Sequence, residues 1–256
     1  MIAPAAKGGL YLVPAPVDFG CAAQTPLRNV MPDATLESAA RLTHWICENA
    51  KSARAYLKRV GEIHPLALPL REQQIVELPR EIHKKGDHDT GFDAKPLLAS
   101  ALAGHDVGLL SEAGMPAIAD PGSSVVRAAH DLALRVVPLV GPGSLMLALA
   151  ASGLNGQSFA FLGYLPVEAQ ARHARLREIE SASRRLAQTQ VFIETPYRNG
   201  ALLEAAVGCL QGSTRLAVSC GLTLPEGWSR CRPVAQWKAD PAPLPDRVPA
   251  VFCLLA

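Results

Sequence analysis

A chain of 256 residues with 49% hydrophobic and 19% charged residues carries enough apolar material for one large folded domain or two small ones, and this excludes a disordered chain. Lys and Arg number 25 against 23 Asp and Glu, a formal charge of +2, so any contact with RNA must come from a local patch rather than from a chain-wide field. The densest basic cluster, Arg172, Arg175, Arg177, Arg184 and Arg185, lies in a segment that reads as an exposed helix, for which a solvated face is the plainer account.

The apolar residues 10–13 are too few and too early for a signal peptide, and the longest apolar run, residues 145–151, falls far short of the ~20 that cross a membrane. A cytoplasmic protein with no membrane contact is expected. Six cysteines, at positions 21, 47, 209, 220, 231 and 253, form no C-x-x-C pair, so neither a metal site nor a disulfide framework is expected, and buried thiols are. His83, Asp87, His88 and Asp89 form a further metal or hydrolase candidate, weakened by a polar setting without a helical platform.

In chain order, residues 10–13 read as a strand ended by Pro14-Ala15-Pro16. Asp33 or Thr35 caps a helix through Leu42, residues 43–47 are strand-like, and residues 51–60 form a helix closed by Gly61. The polar stretch 65–93 reads mostly as loop. After Lys95 come a helix to Ala103, a strand over 107–111, a loop, a helix over 124–134, a strand over 135–140 and a helix from Ser144. This alternation predicts a parallel sheet covered by helices. The Gly153–Gly156 break separates a second grammar: a strand at 159–162, a charged helix over 169–186, a strand at 190–193, a helix over 200–210 and three further strands. The fold class is α/β, with an N-terminal domain over 1–153, mainly parallel, and a mixed C-terminal domain over 154–256. The Pro-rich residues 241–249 read as a rigid loop feeding the last strand.

Ligands of parallel sheets bind beyond the carboxyl ends of strands. Three such loops here are rich in Gly and Pro: residues 14–16, 111–122 and 141–144. They suit a pocket that reads its ligand through main-chain groups. The chain has no G-x-x-x-x-G-K-[ST], no complete G-x-G-x-x-G and no G-x-S-x-G.

The run V-G-L-L-S-E-A-G-M-P-A-I-A-D-P-G, then R-V-V-P-L-V-G-P-G-S and F-L-G-Y-L-P, preceded by L-Y-L-V-P-A-P and followed by V-F-I-E-T-P-Y-R, resembles the tetrapyrrole methylase superfamily. Within it the likeness is to the ribosomal RNA cytidine 2′-O-ribose methyltransferases. The resemblance implies two α/β domains with a ligand cleft between them, S-adenosylmethionine as cofactor, and a homodimer. It assigns cofactor contacts to Pro14, to Glu112, Ala113, Gly114 and Met115, to Ser144 and Leu145, to Ile193, to Cys220, Gly221 and Leu222, and to Pro249 and Ala250. Methyl transfer from a sulfonium asks the protein mainly for binding and alignment.

Several positions depart from the family pattern. Glu112 stands where the family has Asp, Tyr197 where it has His, and of the A-E-D-T-R stretch only Glu48 is retained. Glu48 and Glu194 are the candidate catalytic carboxylates, either of which could equally be a surface or interface group. His44 and Tyr197 read as packed residues, and Arg198 as the partner of a phosphate or of an acid. Three functions stay open: an RNA methyltransferase, a methyltransferase of a small tetrapyrrole-like molecule or of a protein, and a cofactor-binding module without catalysis.

Overall fold

The computed structural model describes residues 6–85, 87 and 91–256. It divides into two compact units, one of residues up to Phe19 and from Pro26 to Pro142, the other of Gly20–Thr25 and Gly143–Ala256.

The first unit runs β1 (Gly9–Val13), α1 (Asp33–Arg41), β2 (His44–Cys47), α2 (Ala50–Gly61), β3 (Gln74–Glu77), α3 (Arg80–Lys85), α4 (Ala99–Leu102), β4 (Val107–Leu110), α5 (Ser123–Asp131) and β5 (Arg135–Pro138). Its five strands are all parallel, in the order β3-β2-β4-β1-β5. Side chains alternate between two covered faces. Val13, Trp45, Cys47 and Leu110 join the core under α1 and α2, while Leu10, Ile46, Val107 and Leu109 join the one under α4 and α5. Gly108 belongs to this packing for a steric reason: a Cβ there would lie 2.5 Å from the ring of Trp45, whose Nε1 donates to Gln73 Oε1 at 3.0 Å.

The polar stretch expected as loop holds β3 and α3. The reason is position: β3 is an edge strand pairing only with β2, and three of its four residues are exposed, so it carries no apolar alternation. His88 and Asp89 lie outside the described residues, as does the side chain of His83. Asp87 is buried and accepts from Gly122 N at 2.8 Å, Ser124 N at 2.8 Å, Ser123 Oγ at 2.6 Å and Ser124 Oγ at 2.6 Å, capping the start of α5. Burial opposes its charge, but these hydrogen bonds outweigh it and hold the carboxyl below its usual value.

The second unit runs α6 (Ser144–Ser152), β6 (Phe159–Tyr164), α7 (Ala169–Leu186), β7 (Thr189–Ile193), α8 (Asn199–Cys209), β8 (Arg215–Cys220), β9 (Trp228–Pro233), α9 (Val234–Ala239) and β10 (Ala250–Leu255). Its sheet order is β6-β7-β10-β8-β9, parallel between β6 and β7 and antiparallel elsewhere. One face packs Phe192, Val218 and Phe252 against Leu176 and Ile179 of α7 and Leu202 of α8. The other packs Val191, Ala217, Val251 and Cys253 against Leu145, Ala148 and Leu149 of α6. Helix α6, grouped in sequence with residues 1–153, thus shares its core with the second sheet, and the units part at Pro142 and Gly143. Residues 20–25 also belong here, with Thr25 Oγ1 donating to Thr223 O at 2.7 Å. Ala242, Leu244 and Val248 of the Pro-rich segment pack on the core, as expected of a rigid loop.

Among the described residues no helix is long and apolar enough to cross a membrane. None of the six cysteines, all among the described residues, is in a disulfide; Cys47, Cys220 and Cys253 are buried, the other three partly exposed. Burial pushes the Cys47 and Cys253 thiols up to about 12 and Cys220 to about 11, leaving them unreactive at neutral pH.

Candidate functional site

In the first unit β1 and β4 are neighbours whose outgoing connections run to opposite sides of the sheet, the arrangement that opens a binding place at the carboxyl ends of parallel strands. The three Gly- and Pro-rich loops meet there. Ala15 N donates to Gly114 O at 2.9 Å and Gly114 N to Ala15 O at 3.0 Å, a two-bond bridge joining the loops after β1 and β4. The loop after β5 presses on the first of them at Gly141, where a Cβ would stand 2.2 Å from Pro14 Cγ. Thr35 Oγ1 fixes that loop further by donating to Val140 O at 2.7 Å.

The loop after β4 is held at both ends, by the bridge at Gly114 and by Asp87 at Gly122 and Ser124. Between these anchors Ala117 and Ala119 take φ of 65° and 66°, a left-handed conformation costly for a residue with a side chain. Such backbone persists only where its surroundings over-determine it, and it sets the position of Asp120.

Three carboxylates gather on this rim. Glu48 follows β2, and its Oε1 accepts from Glu112 N at 3.3 Å. Glu112 follows β4, and its Oε1 accepts from Ser52 Oγ at 3.0 Å, in the first turn of α2, whose N-terminus Asn49 caps by accepting from Lys51 N and Ser52 N. Asp120 is pushed up to about 7, first by burial and then by the charges of Glu48 and Glu112. Ser111 between β4 and Glu112 is buried with its Oγ unpartnered.

The remaining predicted residues gather at one end of the second unit's sheet. Ala250 stands opposite Cys220, Val251 opposite Ile193, and Gly221 N donates to Pro249 O at 3.0 Å. Ile193 and Leu222 pack with Leu145 in the core under α6, directly after Ser144. Glu194 is elsewhere engaged: its side chain is 1% exposed, and its Oε1 accepts from Thr195 N at 2.7 Å and from Arg198 Nε at 2.9 Å and Nη2 at 2.5 Å. It anchors the turn into α8, and Arg198 meets an acid. Tyr197 is 72% exposed, unlike the packed residue expected, because this turn carries it outward. His44 does pack, stacked on His105 with ring centroids 4.5 Å apart. Among the described residues Asp33, Glu37 and His64 form a surface group with ligand atoms within 4.8 Å of one another, with His64 Nε2 2.9 Å from Asp33 Oδ1.

No family model matches the chain. A ribosomal RNA small subunit methyltransferase I of Mesorhizobium japonicum is 33% identical over 84% of this chain and 63% of its own length. The protein of that name from Micromonospora olivasterospora is 31% identical over 86% and 61%, and the one from Vibrio cholerae 37% identical over 54% and 46%. Among solved structures, uroporphyrin-III-C-methyltransferase from Thermus thermophilus superposes with a TM-score of 0.52 at 18% identity, over 97% of this chain and 94% of that one. The methyltransferase CobJ does so at 0.56 and 16% identity, over 96% and 93%. The chain shares its fold with these two methyltransferases and is similar in sequence to the proteins named ribosomal RNA small subunit methyltransferase I. The chain spans less than two thirds of the length of the curated relatives named here.

The sequence marked the loops but not Asp120, although it lies inside the quoted A-I-A-D-P-G run. Its neighbours are brought in by β2 and β4, and nothing local marks them.

Proposed function

We propose that the chain is an S-adenosylmethionine-dependent methyltransferase whose acceptor is a ribose hydroxyl of small-subunit ribosomal RNA. The observation that carries this reading is the similarity, 33% identity across 84% of the chain, to a protein named ribosomal RNA small subunit methyltransferase I; the cofactor and the ribose hydroxyl come from the family resemblance. The first-unit residues fit the cofactor. Ala113 and Met115 beside the bridged Gly114 are partly exposed, and Glu48, Glu112 and Asp120 complement a ligand bearing sulfonium and ammonium charges. When bound, S-adenosylmethionine supplies the methyl group.

In this reading Pro14, Glu112, Ala113, Gly114 and Met115 contact the cofactor from the first unit. The resemblance also assigns Ser144, Leu145, Ile193, Cys220, Gly221, Leu222, Pro249 and Ala250, which lie in the second unit. Glu48, whose Oε1 accepts from Glu112 N on the rim, is a catalytic candidate; Glu194 is proposed as a turn anchor instead. A homodimer rests on the family resemblance, and a ribosomal acceptor entails a cytoplasmic location. One observation favours a small-molecule acceptor as the second reading: the charge of only +2.

The test is transfer of labelled methyl from S-adenosylmethionine to small ribosomal subunits lacking the modification, at rising salt. Labelled ribosomal RNA, with affinity falling steeply as salt rises, is the expected result. Label absent from RNA, or salt-insensitive turnover of a small tetrapyrrole, contradicts the RNA reading.

A further inference from the structure

The second unit carries a patch of positive charge to which neither the resemblance nor the comparisons assign a role. Of the five arginines on α7, two are engaged: Arg172 Nη1 donates to Val167 O at 2.9 Å, and Arg175 Nη1 to Glu178 Oε2 at 2.7 Å. Arg177, Arg184 and Arg185 are exposed and, among the described residues, form no ion pair. They stand at i, i+7 and i+8, so with Ser181 at i+4 they share one flank of the helix. Arg184 reaches the end of α8, its Nη2 donating to Gln211 Oε1 at 3.1 Å. Burial pushes up the thiol of Cys209, the last residue of α8, while the charges of Arg177 and of the exposed Lys238 in α9 oppose this, so three helices gather cations at that place. The carboxylates nearby are occupied. Glu178 is held by Arg175, and Glu180 is buried, its Oε1 accepting from Gln211 N at 2.8 Å and Thr214 Oγ1 at 2.5 Å. Glu204 stands with Leu203, Val207 and Trp237 along the groove beside the Pro-rich segment. Elsewhere in the unit, Glu194 pairs with Arg198, and Asp240 with Arg230 and Arg232.

We propose that this flank of α7, with Lys238 beside it, docks the phosphate backbone of the acceptor RNA, a role that rests on the reading of the chain as a ribosomal RNA methyltransferase. The argument is charge complementarity. A chain of net charge +2 attracts RNA weakly as a whole, whereas a flank of arginines not already paired with acids does so locally and releases counterions from the phosphates it meets. Three of the four cations are guanidinium groups, whose planar fork of donors matches phosphate oxygens in pairs. Arg177 and Arg184 lie two turns apart, about 10 Å along the axis, so they meet more than one phosphate. Contacts of this kind fix the position of the RNA and carry no base sequence. The choice of nucleotide then rests with the residues that receive the acceptor hydroxyl.

The test is binding of small ribosomal subunits, and of their protein-free RNA, across a salt series. The triple variant Arg177→Gln, Arg184→Gln, Arg185→Gln is expected to bind both about 10–100-fold more weakly at low salt, with a slope of log affinity against log salt shallower by about 2–3. It is expected to stay folded by circular dichroism and to bind S-adenosylmethionine as the wild type does. Replacing the same three residues by Lys keeps the charge and most of the slope. Arg177→Gln alone lowers the slope by about 1, and Arg175→Gln, on the paired side of the same helix, leaves it unchanged. Equal losses in these two single variants show a diffuse field and overturn the patch. A triple variant with wild-type affinity and slope overturns it while the methyltransferase reading stands. Weakening on subunits but not on protein-free RNA points to a ribosomal protein as the partner and overturns the phosphate assignment. A wild type that binds neither removes the patch and the RNA reading together.

Discussion

Asp120 shows at the scale of one residue how the fold sets a charge state. Its value is about 7 when folded against 3.8 for a free aspartate, so folding favours the neutral acid. The resulting stability is fully present below the unfolded value and is lost as pH rises through about 7. Urea unfolding is therefore expected to show the wild type losing stability between pH 5 and pH 8 relative to Asp120→Asn, which has no proton to lose there. Parallel pH dependences for the two proteins contradict this. The sequence offered Glu48 as a catalytic candidate and, through the family resemblance, Glu112 as a cofactor contact, but not that a third carboxyl joins them. Nor did they show that Glu194 is buried beneath Arg198, because both facts depend on neighbours assembled by folding.

At the scale of elements, the rim depends on close passage of the loops after β1 and β5. Gly141→Ala drives a Cβ to within 2.2 Å of the rigid Pro14 ring and is expected to destabilise the protein by about 1–3 kcal/mol in urea unfolding. Gly143→Ala, two residues on, meets nothing within 4 Å and serves as the near-neutral control. Equal stability of the two variants contradicts the packing described. Most of these elements were legible because apolar strands such as 107–110 alternate with capped helices. Strand β3 was not, since an exposed edge strand needs no apolar pattern. The placement of α6 was hidden for the opposite reason: S-L-M-L-A-L-A-A-S is apolar nearly all round, so no stripe marks the face that meets Val191 and Val251.

At the scale of the whole molecule, the α/β class was readable from the order of elements, a parallel first unit followed by a mixed second one. The order of strands within each sheet was not, because pairing such as β4 between β2 and β1 joins segments far apart in sequence. The likeness to the tetrapyrrole methylases was legible as well, because the matching motifs run from the opening strand to the turn after β7 in the same order. The acceptor was not, since a net charge of +2 marks no large basic face. The central claim is that this chain binds the methyl donor through its first-unit rim, and calorimetric titration with S-adenosylmethionine and S-adenosylhomocysteine tests it most directly. The wild type is expected to bind both and Glu112→Arg, folded by circular dichroism, to bind neither. Absence of binding to the wild type, or unchanged affinity in Glu112→Arg, contradicts the claim.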